Sequence, residues 1–106
     1  IALNDYSKKA YQSALAKLYD ISPSNDTNRF YSGLCHFSLG QLDQSISSLE
    51  KLSPQSIFYE QSIWYLGLAW YAKDDEELAL QYLQTIKSGQ FNFREASDLV
   101  NTLRQK

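Results

Sequence analysis

Cys35 and His36 stand side by side, and a thiol beside an imidazole is the pairing that nucleophilic catalysis uses. They are the one cysteine and the one histidine of the chain. Their spacing works against that chemistry, because adjacent residues on a helix point about 100° apart and do not meet. A single thiol closes no internal disulfide, and metal sites draw on more ligands than this pair offers. The other cluster of reactive groups is Asp74, Asp75, Glu76 and Glu77. It lacks the spaced oxygen ligands of a calcium loop. Carboxylates in the first turn of a helix are favoured by the macrodipole, which accounts for them structurally. No Gly-x-Ser-x-Gly elbow, phosphate-binding loop or His-Glu-x-x-His motif occurs. The expectation is a chain that is no enzyme, with no catalytic residue, no cofactor and no metal.

Composition narrows the class further. The chain has 106 residues, of which 43% are hydrophobic and 14% aromatic, enough for one domain with a continuous core. Lys and Arg total 10 against 12 Asp and Glu, a formal net charge of -2. Nucleic-acid binding needs clustered cations to displace counterions from phosphate, and that balance gives none. The apolar runs are too short to span a bilayer, so no direct membrane insertion is expected. The chain contains no methionine, so Ile1 is not an initiator residue and the sequence reads as a piece of a longer protein.

The elements that must position these residues follow from an internal repeat. A shift of 34 places Phe30 on Trp64, Tyr31 on Tyr65, Gly33 on Gly67 and Leu34 on Leu68. It also places Cys35 on Ala69, Phe37 on Tyr71, Ser45 on Ala79, Ile46 on Leu80, Leu49 on Leu83 and Leu52 on Ile86. Large residues fall on large and small on small. Each unit reads as a helix, a tight turn at Gly40 or Asp74, and a second antiparallel helix. Glycine inside a helix costs about 1 kcal/mol relative to alanine, so Gly33 and Gly67 predict close approach of the paired helices. Cys35 takes the place of Ala69 and reads as a small buried residue. His36 takes the place of Trp70 and reads as a packing residue with one hydrogen-bond partner.

Units are expected at 26–54 and 57–88, preceded by a partial unit at 1–23. There Ala14, Leu18, Ile21 and Pro23 have the spacing of Ser45, Leu49, Leu52 and Pro54. Ala2 takes the small-residue place, Lys9 the turn and Tyr11 the place of Leu42, at an offset of 31 rather than 34. Residues 92–105 read as one terminal helix with an apolar stripe of Ala96, Leu99, Val100 and Leu103. Asn92 with Glu95 three residues on predicts a capping box at its start.

This pattern of "WYLGLAW…LALQYL" resembles the tetratricopeptide repeat family, and within it short bacterial domains, over nearly the full chain. Several such domains look like the soluble, often membrane-anchored, C-terminal parts of larger proteins, and that is the placement the resemblance implies. The resemblance implies an all-α fold in which antiparallel hairpins stack as a right-handed superhelix with a concave groove, closed by a C-terminal capping helix. It implies a scaffold that binds proteins or peptides through the first helix of each hairpin. Carried onto this sequence, the groove takes Phe30, Leu34, Phe37 and Ser38 from one repeat and Gln61, Trp64, Leu68, Tyr71 and Ala72 from the next. Tyr6 stands at its upstream edge.

Some members of the family clamp a C-terminal carboxylate with Lys, Arg and Asn at these places. Here the places carry Phe30, Leu34, Ser38, Trp64, Leu68 and Ala72, so the expected partner is an apolar segment. An aromatic stripe at helical spacing is also what a core requires. Three occupants of the stripe therefore stay open: a partner segment, a second copy of the chain in a homo-oligomer or other part of a longer protein, and ordinary core packing. The second would make the domain an assembly module.

Overall fold

The computed structural model describes residues 12–13 and 26–105. The partial unit expected at 1–23, with Tyr6, therefore lies outside the described residues save for 12 and 13. From residue 26 the chain is all-α, and no strand occurs among the described residues. The helices are α1 (Asp26–Ser38), α2 (Leu42–Glu50), α3 (Tyr59–Ala72), α4 (Glu76–Leu83) and α5 (Phe93–Arg104).

α1 and α2 form an antiparallel hairpin. Asp26 at the start of α1 accepts a hydrogen bond from the Ser53 backbone N–H beyond the end of α2, at 3.2 Å. Midway, Ser45 of α2 donates to the Gly33 carbonyl of α1 at 2.8 Å. The turn closes because Gly40 adopts φ 78. The Gln41 N–H then reaches back to the His36 carbonyl, and the Gly40 N–H to Phe37. This is the Schellman arrangement that satisfies the last carbonyls of a helix.

α3 and α4 repeat the hairpin residue for residue. Asp74 takes φ 65 at the place of Gly40. Asp75 N–H bonds to the Trp70 carbonyl and Asp74 N–H to Tyr71, each bond displaced by 34 from its counterpart. Asp75 also caps α4, accepting from the Leu78 N–H at 3.1 Å, with Glu76 and Glu77 in the first turn. The acidic run is thus a helix start.

The small residues sit where the hairpins close. A Cβ on Gly33 would meet Leu49, and one on Gly67 would meet Leu83. Those leucines are each 1% exposed and contribute about 1.5–3 kcal/mol apiece by burial. One core cluster joins Phe30, Ile46, Leu49, Leu52, Leu66 and Ala69, drawn from the first hairpin and α3. A second joins Ala79, Leu83, Ile86, Ala96, Val100 and Leu103, between α4 and α5. Trp70 packs against both clusters and ties them into one.

α3 is apolar on almost every side, as befits a helix with neighbours on two faces. α5 buries Ala96, Val100 and Leu103 along one stripe and exposes most of the rest. Its start differs from the capping box that the sequence predicts. Asn92 lies in the left-handed region at φ 56, ψ 30 and makes no side-chain cap bond. An N-cap side chain reaches the helix amides from extended backbone, and this left-handed geometry turns it away. Among the described residues no helix is long and apolar enough to cross a membrane.

Candidate interaction surface

The side chains expected to form a groove come from the first helix of each hairpin. On α1 they are Phe30, Leu34 and Phe37, spaced to share one face. On α3 they are Gln61, Trp64, Leu68 and Tyr71. Tyr6 lies outside the described residues.

Phe30 stands in the core, at 5% exposure. Its ring stacks on Phe58 with centroids 4.6 Å apart and planes 10° from parallel. Tyr65 meets it edge-on at 6.3 Å. Phe30 is therefore a packing residue in this chain and offers no open ring to a partner. The cause is Phe58, the residue before α3, which delivers an aromatic face from the link between the hairpins.

Leu34 and Phe37 remain half-buried, their inner sides packed against the first cluster. Phe37 also meets Tyr65 edge-on at 6.0 Å. Tyr65 thus carries the aromatic contact from α1 to α3. Trp64 is half-buried against the second cluster, alongside Ile63, Leu80 and Leu99. Gln61 and Leu68 are half-buried, and Tyr71 is exposed at 38%. Ser38 and Ala72 are exposed at the helix ends. The accessible part of the expected groove is therefore Leu34, Phe37, Trp64, Leu68 and Tyr71, with Gln61 at its entrance.

The thiol and imidazole diverge. Cys35 is buried, and that burial pushes its thiol above its ordinary 9.0, which keeps it protonated. The buried His36 aligns Nδ1 with Gln41 Oε1 at 2.6 Å, tying the helix end to the turn. Among the described residues no three His, Cys, Asp or Glu side chains gather as a metal-binding group.

Two further surfaces escaped the sequence pattern. Ile57 is 84% exposed in the link between the hairpins, beside Phe58 in sequence, and the ring of the exposed Tyr31 lies 5.7 Å from that of Phe58. A cleft of about 380 Å³ opens between the start of α3 and the end of α4. Tyr59, Ile63, Leu78, Tyr82 and Ile86 form its apolar part. None of the residues expected in the groove lines it. Its tyrosines stand 23 positions apart in sequence, and no periodicity links them.

Compared with protein-family models, curated proteins and solved structures, the chain matches none.

Proposed function

We propose that the chain is a protein-interaction scaffold of the tetratricopeptide type. In this reading its hairpins belong to a right-handed superhelix capped by α5, and an apolar segment of a partner lies along α1 and α3. The observation that carries it is the 34-residue repetition of whole contacts: Gly33 against Leu49 and Gly67 against Leu83, with matching turns at Gly40 and Asp74. Leu34, Phe37, Trp64, Leu68 and Tyr71 then form the contact surface, without Phe30. Aromatic side chains suit this role because they offer large contact area at little rotamer cost. No cation stands among these residues, which favours an apolar segment over a terminal carboxylate.

The test is capture of protein partners from the native source by the wild type and by a Leu68→Ser, Tyr71→Ala variant. Trp64 is left intact because it packs into the second core cluster. Loss of capture with unchanged helical circular dichroism is the expected result, and unchanged capture removes the reading.

A second reading is self-association, which would make the domain an assembly module for a longer protein. The exposure of Tyr31 and of Ile57 favours it. Light scattering separates the two: a dimer that survives dilution and is lost in Ile57→Asp supports assembly.

A further inference from the structure

The cleft between α3 and α4 has a chemical character of its own. Its volume of about 380 Å³ is that of a small-molecule site, at the lower end of the roughly 300–1,000 Å³ typical of ligand pockets. Ile63, Leu78 and Ile86 give it an apolar floor, and Tyr59 and Tyr82 supply two rings. Glu60 is the one acidic side chain among the described residues that line it, and no Lys, Arg or His is among them.

The polar groups at its mouth are partly engaged. Gln90 Oε1 accepts the Lys87 N–H at 2.7 Å, and the Thr85 hydroxyl donates to the Tyr82 carbonyl at 2.6 Å. Glu60 Oε1 accepts the Phe91 N–H at 3.1 Å, which leaves Oε2 without a protein donor among the described residues.

We propose that this cleft is a binding site for a small organic cation on an apolar stem, an alkylguanidinium or alkylammonium group. The stem lies on Ile63, Leu78 and Ile86, the cation faces the tyrosine rings, and Glu60 Oε2 takes its N–H. Tyrosine faces attract such cations through the ring quadrupole, and a carboxylate binds them by a charge-assisted hydrogen bond. Tyr82 is held in its protonated form. Burial first, then the negative charge of Glu50 and the neighbouring Tyr59, pushes its phenol above its ordinary 10.0, against a smaller opposing pull from Trp70. The ring therefore stays a neutral phenol, and its face is what a cation would meet. This site is separate from the partner surface on α1 and α3 and stands or falls without it.

The experiment is a titration of the isotope-labelled chain, followed by amide and side-chain shifts, with butylguanidinium, butylammonium and the neutral isostere butylurea. Both cations should give saturable shifts at Tyr59, Ile63, Leu78 and Tyr82, and butylurea should bind about fivefold more weakly or less. Glu60→Gln keeps an oxygen for the Phe91 N–H while removing the charge. It should weaken both cations about fivefold, leave butylurea unchanged, and leave the rest of the spectrum in place. N-acetyl-arginine methylamide distinguishes the source of the cation. Tighter binding than butylguanidinium assigns the site to a protein side chain, and weaker binding assigns it to a free base; both uphold the site. Equal affinity for butylurea and the cations, absence of saturable shifts in the cleft, or indifference to Glu60→Gln overturns it.

Discussion

A Cβ added to Gly33 would lie 2.6 Å from both Cγ and Cδ2 of Leu49. One added to Gly67 would lie 2.7 and 2.6 Å from the same atoms of Leu83. These distances are shorter than packed carbons allow, and the leucines are too enclosed to retreat. Gly33→Ala should therefore destabilise the chain by about 1–2 kcal/mol, with overpacking outweighing the gain in helix propensity. Leu49→Ala alone should cost about 2–5 kcal/mol. The double variant should cost less than the sum, because the added methyl fills part of the hole. Urea unfolding of the four chains measures the coupling. Strict additivity would remove the close approach as the reason for the glycine.

Gly40 serves a different purpose. A Cβ there would meet nothing within 4 Å, and the constraint is its φ of 78. Gly40→Ala should cost about 1–2 kcal/mol through the left-handed backbone alone. Asp74 holds the same place at φ 65 and bears part of that cost. Asp74→Gly should then stabilise the chain by about 0.5 kcal/mol, in the opposite direction to every glycine replacement above. Thermal unfolding of both variants checks the pair of signs.

The contrast explains what could be read from the chain before its structure. Gly33, Gly67, Leu49 and Leu83 were legible because one contact is written twice at a fixed offset. The turn at Asp74 was legible for the same reason, despite its change of residue. Phe58 was not. It lies in the link between hairpins, its counterpart at the next link is Asn92, and its partner Phe30 sits on a different helix. The stripe of α1 accordingly left Phe30 open between groove and core, because the ring that covers it comes from a loop. Asn92 misled in another way: its type suits a cap, while its backbone is left-handed. The cleft at Tyr59 and Tyr82 was invisible because its lining comes from the start of α3, from α4 and from the segment after α4, which no single spacing joins.

The placement of Phe30 has a direct energetic consequence. A ring at the edge of a groove could be truncated with little effect on folding. Phe30, stacked on Phe58 and enclosed by the first cluster, should cost about 3–5 kcal/mol on change to alanine. Phe58→Ala should share part of that loss, with a coupling between the two rings of about 0.5–1.5 kcal/mol. A urea double-mutant cycle measures it. A Phe30→Ala chain as stable as the wild type would return Phe30 to the partner surface.

Alkaline pH should expose two groups, among the described residues, whose ionisation the fold resists. Burial holds the Cys35 thiol above 9.0 and the Tyr82 phenol above 10.0. In the unfolded chain each returns to its ordinary value, so the unfolded state loses its proton first as pH rises. The stability that each contributes is complete below the ordinary value and is lost as pH rises through the higher folded value. The urea midpoint should therefore hold level through neutral pH, decline from about pH 9, and steepen near pH 10. Cys35→Ala should flatten the first part of the decline and Tyr82→Phe the second. A midpoint that falls equally in both variants would mean that other groups set the alkaline limit.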